Sequence, residues 1–303
     1  MDIGKKKKLA AGVSVGSNII LTLLKIVAGV ISGSLSIISE AIHSLSDLFA
    51  SSLTYFSVIK SSQPADEDHP YGHGKYEDMS GFIEGILIIF ASIFIIYEAA
   101  KKIIIGVNGG HETSLGIMVM LLAVVMNIFV STLLFRVSKE SNSISLYADG
   151  EHLRTDVYSS LGVLIGLILI KTTGISVLDP IIAILVAVLI YRAGYTISKK
   201  AMMNLLDHSL PNEDIEKIEN IISANSGNAK LKKNSIKARQ IGPSKDIDLI
   251  LQFPENTSIC ECHKICDEIE TQIQEIYNNC SISIHAEPLC YKNGCKNCSK
   301  SFN

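Results

Sequence analysis

Within the first 206 residues two stretches place a histidine four residues ahead of an aspartate: His43 with Asp47, and His152 with Asp156. A separation of four puts both side chains of a pair on one face of a helix, about one turn apart. Two such helices side by side present two imidazoles and two carboxylates to a common centre. That donor set suits a tetrahedral, borderline-soft divalent cation, with Zn²⁺ the best match, whereas calcium and magnesium take all-oxygen cages. Imidazole titrates at about pH 6.5, so protons compete with metal for His43 and His152, and a site of this composition can give up its ion in exchange for protons. An intramembrane hydrolase would use similar ligands. It would also need an open coordination position for water and a general base, which Glu40 or Glu151 would have to supply.

Both pairs fall in apolar sequence. Windows of about 20 residues or more, the length that crosses bilayer hydrocarbon as a helix, cover 9–31, 34–58, 79–105, 114–137, 144–170 and 175–197. The second carries Glu40, His43 and Asp47; the fifth carries Asp149, Glu151, His152, Arg154 and Asp156. An ionisable group at bilayer depth costs a few kcal/mol even on lenient insertion scales, so it marks function by default. A structural ion pair between helices is the other reading, and repetition of the His/Asp pattern disfavours it. With a rise of about 1.5 Å per residue, both pairs come near the bilayer midplane. The Lys5–Lys8 run, Lys60, Lys75, Arg136, Lys139, Lys199 and Lys200 all share one side. The positive-inside rule therefore expects both termini in the cytoplasm. The first window is too long for a signal-peptide core and lacks a small-residue cleavage site, so it is kept as a span.

Charge density changes after the sixth window. From Asp207 onward 25 of 97 residues are Asp, Glu, Lys or Arg, against 32 in the first 206. The expected organisation is a six-helix transmembrane transport domain over 1–206, a small cytoplasmic domain over 207–289, and a cysteine-rich tail over 290–303. Helical periodicity over 213–222 and 260–276, with strand patterns over 234–240, 247–253 and 281–285, predicts an αββαβ order. That is a sheet covered by two helices on one face. A net charge of −3, with no long basic run beyond Lys5–Lys8, excludes the electrostatic footprint of a nucleic-acid binder.

All seven cysteines follow the last window, on the side where thiols stay reduced, so they are not a disulfide framework. Cys290, Cys295 and Cys298 read as a thiolate-rich zinc site, which Cys260 and Cys262 would extend, or as a reduced tail without metal; spacing alone also admits iron or copper. Asp66, His69 and His73, in the polar stretch after the second window, read either as a solvated turn or as ligands of one metal.

The segments 34–47 (SLSIISEAIHSLSD), 69–75 (HPYGHGK) and 148–156 (ADGEHLRTD) resemble the cation diffusion facilitator family. The resemblance covers nearly the whole chain, including 205–211 (LLDHSLP) and 237–243 (KARQIGP). It implies a homodimer that moves divalent metal out of the cytoplasm in exchange for protons, with His43, Asp47, His152 and Asp156 as the transport site. His43 resembles the zinc-preferring members, although 139–145 lacks their histidine-rich loop. Asp66, His69 and His73 match a second metal site at the cytoplasmic mouth. Lys75 and Asp207 match a salt bridge that locks the membrane part to the cytoplasmic part. The cytoplasmic domain is implied to have a ferredoxin-like fold that dimerises and binds regulatory metal. Its ligands at one position would be His263, His285 and Glu287. A second position is lost, since Asn234 and Ile250 stand where histidines would be needed. The cysteine tail is outside the family pattern.

Taken together, the chain is expected to be a plasma-membrane, proton-coupled antiporter of divalent cations and not an enzyme. Zn²⁺ is the expected substrate and regulatory ligand, with Co²⁺, Fe²⁺ and Cd²⁺ as further candidates. The competing readings are a non-transporting membrane metal sensor or scaffold of the same fold, and a membrane metallohydrolase.

Overall fold

In the computed structural model of the chain, residues 3–32, 35–105, 114–173, 178–277 and 279–289 are described. The chain divides into two compact units, Met1–Leu206 and Asp207–Asn303. The first consists of long helices: α1 (Ile3–Ser32), α2 (Leu35–Ser61), α3 (Lys75–Ile105), α4 (Ser114–Ser141), α5 (Ile144–Thr173) and α6 (Leu178–Leu205). By length and composition α1, α3, α4 and α6 can each cross a membrane. The other two, α2 and α5, are equally long and carry the two His/Asp pairs.

Hydropathy finds these helices and misses their ends. α3 begins at Lys75, four positions before its apolar window, because Glu77 and Asp78 occupy its first turn. Carboxylates there meet the free amides and positive dipole end of the helix. α1 likewise takes in Lys5–Lys8. Small residues then set the packing. A Cβ on Gly85 would lie 2.8 Å from the backbone nitrogen of Ser198, and one on Gly194 would lie 2.9 Å from the Gly85 carbonyl oxygen. The backbones of α3 and α6 therefore touch with no side-chain layer between them. α1, α2, α4 and α5 meet around Ala10, Ala11, Val58, Leu134, Leu146 and Leu153. Phe56, Phe90, Phe94 and Phe129 are exposed, an arrangement suited to lipid as the surrounding solvent.

The second unit contains α7 (Asn212–Asn225), β1 (Lys230–Leu231), β2 (Lys237–Ile241), β3 (Ser244–Phe253), α8 (Ile259–Ile276) and β4 (Cys280–Pro288). β2 and β3 form a hairpin across Gly242 and Pro243, with Gly242 at φ 55°, as the first position of a type II′ loop requires. β4 runs parallel to β3 from Lys245/Cys280 to Phe253/Pro288. β1 pairs antiparallel with β3 at Gln252 and Leu251, so β1 and β2 share one edge of β3 while β4 occupies the other. The short β1 is an addition to the expected αββαβ order. Ile247, Leu249, Leu251 and Phe253 alternate onto one face of β3 and bury against Ile218 and Ile222 of α7 and Ile269 and Ile273 of α8. Both helices thus cover the same face. Ser258 caps α8 by accepting a hydrogen bond from the amide of Glu261 at 3.2 Å, satisfying one of the free amides at that end.

Candidate metal centre

α2 and α5 bring the two His/Asp pairs together. His152 Nε2 lies 3.2 Å from Asp47 Oδ1, and His43 Nε2 lies 3.8 Å from Asp47 Oδ1 and 3.9 Å from Asp156 Oδ1. Donors on a tetrahedral zinc with bonds of about 2.0–2.1 Å are separated by roughly 3.3 Å; His43, Asp47 and Asp156 offer ligand atoms within 4.8 Å of one another, and His152, beside Asp47, has to shift to complete a set of four. Asp47 and His152 are buried, with side chains 8% and 9% exposed, whereas the His43 side chain is 51% exposed. The site is therefore closed on one side and open past His43.

The rotation of α2 is set by α1. Asn18 Nδ2 donates to Ser51 Oγ at 3.1 Å and to the Asp47 carbonyl at 3.4 Å. Thr22 Oγ1 donates to the Ser44 carbonyl at 3.1 Å, and Lys25 Nζ to Ser44 Oγ at 2.7 Å. This polar seam on the back of α2 leaves Asp47 facing α5. It also accounts for Lys25, whose amine is buried against α2 rather than directed to a membrane surface.

The loop between α2 and α3 gathers Asp66, His69 and His73. The His69 amide donates to Asp66 Oδ1 at 2.7 Å, the His69 ring Nδ1 lies 3.2 Å from the same oxygen, and His73 Nε2 lies 3.2 Å from Asp66 Oδ2. The Pro64 carbonyl can only accept, so His73 Nδ1, 3.1 Å away, carries the proton and Nε2 presents its lone pair. Gly72 at φ 81° turns the chain between the two histidines, a backbone region that residues with a Cβ enter at a cost. The hydrogen bond from the His69 amide, reinforced by that of the His69 ring, holds the Asp66 carboxyl below the ordinary carboxylate range.

The regulatory trio does not assemble within one chain. Ile282 and Ile284 of β4 face the helices, so by strand alternation His285 and Glu287 point to the opposite face of the sheet. His263 lies on α8, with Asp267 at 3.5 Å and a side chain 76% exposed. Glu287 accepts from Lys232 at 3.0 and 3.1 Å and sits 4.0 Å from His285. The sheet therefore stands between His263 and the other two. Lys75 opens α3; Asp207 is 3.1 Å from Arg239 within the second unit. The expected thiolate site at Cys290, Cys295 and Cys298 lies outside the described residues.

Three buried carboxylates have no role in the sequence reading. Glu77 is fully buried and bonded to Lys7, Ser61, Ser143 and Ser145, tying together α1, α2 and the turn before α5. Glu84 and Asp149 are fully buried between α3 and α5. The only signal for them in the sequence is an acid at an otherwise apolar helical position, and the apolar window that starts at 79 leaves Glu77 in a loop.

Residues 12–206 match the family described as the cation efflux transmembrane domain, and residues 210–289 match the cation efflux protein cytoplasmic domain. The chain is 32% identical over 274 residues to an uncharacterised transporter of Methanocaldococcus jannaschii, spanning 90% of this chain and 95% of that protein. It is 31% identical over 279 residues to an uncharacterised transporter of Synechocystis, spanning 92% and 89%. The cation-efflux pump FieF of Shewanella oneidensis is 26% identical over 93% of this chain and 94% of its own length. The two family matches together cover both units of the chain, the relatives align with it along nearly their whole length, and the chain belongs to the cation diffusion facilitator family of cation transporters.

Proposed function

We propose that the protein exports divalent metal from the cytoplasm in exchange for protons, with Zn²⁺ its main substrate and His43, Asp47, His152 and Asp156 its transport site. The observation that carries this reading is the meeting of two ligand pairs from α2 and α5, with Asp47 and His152 3.2 Å apart in the bundle interior. Two imidazoles favour Zn²⁺ over harder ions, and each can exchange metal for a proton. Metal would enter past Asp66, His69 and His73, at the end of the bundle where α1 begins, which this reading assigns to the cytoplasm of a plasma-membrane protein. Two copies would pair through the second unit, with Lys75 and Asp207 forming the salt bridge that locks the membrane part to the cytoplasmic part at the dimer interface. Regulatory zinc would bind at His263, His285 and Glu287, with His263 supplied across the dimer. The relative named as a cation-efflux pump supports the direction of transport.

The test is flux into proteoliposomes under an imposed pH gradient, comparing Zn²⁺ with Cd²⁺, Co²⁺, Fe²⁺ and Mn²⁺ for the natural sequence and for Asp156→Ala. Zn²⁺ uptake with counterflow of protons, stopped by the substitution, is the expected result. Zinc binding without flux would sink the exporter reading in favour of a membrane metal sensor or scaffold.

A further inference from the structure

Toward the end of the bundle where α1 begins, below the quartet, helices α1, α2, α3 and α5 turn oxygen atoms toward one region. Gly81 of α3 touches α5 at Ile144, where an added Cβ would lie 3.3 Å from Ile144 Cγ2. Glu84 is three residues further along α3 and Asp149 five further along α5, so both sit roughly 5–7 Å deeper than that contact. Both are 0% exposed. Glu84 Oε1 accepts from Thr54 of α2. Glu84 Oε2, both carboxyl oxygens of Asp149, and Ser14 Oγ of α1 are buried without a hydrogen-bond partner. Ser14 stands beside Asp149, and the charges acting on Glu84 are those of Asp149 and His152. Two carboxylates closed off from water, with Thr54 bonded to one oxygen of Glu84 and Ser14 the hydroxyl nearest Asp149, keep more acceptor oxygens than these hydroxyls can satisfy, a costly arrangement unless a cation joins them.

We propose that Glu84 and Asp149, with the hydroxyls of Ser14 and Thr54, form a second cation site inside the bundle, built from oxygen ligands alone. It holds a divalent ion between the loop trio and the quartet. Naming that ion as the transported one rests on the exporter reading above; the existence of the site does not. An all-oxygen set favours hard ions such as Mn²⁺ and Mg²⁺ and grips Zn²⁺ less than an imidazole-containing set does. A weaker site ahead of a stronger one lets an ion move onward without being trapped. The hand-over distance is short. Asp149 is one turn, about 4.5 Å along α5, from His152, and Thr54 is about 10 Å along α2 from Asp47.

The experiment is equilibrium Mn²⁺ binding to the full-length protein in lipid nanodiscs, read from the electron paramagnetic resonance signal of free Mn²⁺. Six proteins are compared: the natural sequence, Asp156→Ala, Glu84→Gln, the double variant of these two, Asp149→Asn and Ser14→Ala. We expect Glu84→Gln to remove one Mn²⁺ per chain, or to weaken it about ten-fold or more, whether or not Asp156 is present. Asp149→Asn gives the same loss. Both are near-isosteric and remove a buried charge, and Ser14→Ala is the milder third variant, with a few-fold weaker ion. Unchanged Mn²⁺ number and affinity in Glu84→Gln and Asp149→Asn would overturn the site. So would a loss seen only when Asp156 is present, since Glu84 would then be a support of the quartet. Binding is measured without flux, so a protein that transports nothing can still hold this ion, and an exporter can lack it.

Discussion

The quartet and the loop trio offer similar donors and are assembled in opposite ways. In the quartet every short contact but one crosses between α2 and α5: Asp47 to His152, and His43 to Asp156. In the trio the ligand-to-ligand contacts lie within 66–73; the His69 amide, the Pro64 carbonyl and the turn at Gly72 hold the ligands in place, and Tyr76 in the first turn of α3 packs against both histidine rings. A site shared by two helices changes its affinity whenever those helices shift. A site folded within one loop keeps its geometry whatever the bundle does. The first is therefore suited to bind and release, the second to capture.

The strongest way to break this contrast is Asp47→Ala, which removes the carboxylate that reaches both histidines of the quartet. Flux should fall more than about 100-fold, beyond the range for losing a supporting group only. Metal binding at the loop, followed by the imidazole NMR signals of His69 and His73, should stay the same. If loop binding were lost as well, the two sites would not be independent. An intermediate effect comes from Gly72→Ala. Its left-handed backbone costs a residue with a Cβ about 1–2 kcal/mol, which weakens loop binding about 5- to 30-fold. The zinc affinity of the quartet, measured in the same titration, should not move.

The smallest effect is a pH dependence. Asp66 is held below the ordinary carboxylate range, so its contribution to the loop fold is complete above the unfolded value of about 4 and is lost only as pH falls through its lower folded value. Amide exchange across 64–74, corrected for intrinsic rates, should be the same at pH 7 and pH 5 and should rise only in stronger acid. Opening of the loop already at pH 5 would remove the claim that it is locally stable.

The helices and the quartet were legible in the sequence because each depends on a local spacing: apolar windows of membrane length, and His/Asp at four residues. What failed were properties decided by another element. Glu77 looked like a loop residue until Lys7, Ser61 and Ser143 were found around it. Glu84 reads only as an acid in an apolar window, facing the bundle interior or snorkelling, until Thr54 and the face of α5 are seen to enclose it. Periodicity says that a residue lies on a face; it does not say what lies opposite. The side of the sheet taken by His285 could have been read from its alternation with Ile282 and Ile284, and that parity alone separates it from His263.

The seam between α3 and α6 has a mechanical consequence. With Gly85 against Gly194 and Ser198, and Asn204 Nδ2 bonded to Asp78 Oδ1 at 2.8 Å, the last turn of α6 is tied to the first turn of α3. Gears with no clearance turn together, and this pair has no side-chain layer in which to slip. α6 ends at Leu205, where the chain leaves for the second unit, and α3 begins two residues after His73. A pull on that connection is carried by the α6–α3 pair to the start of α3, beside the loop, and reaches α2 through Glu77 and Glu84, which accept from Ser61 and Thr54.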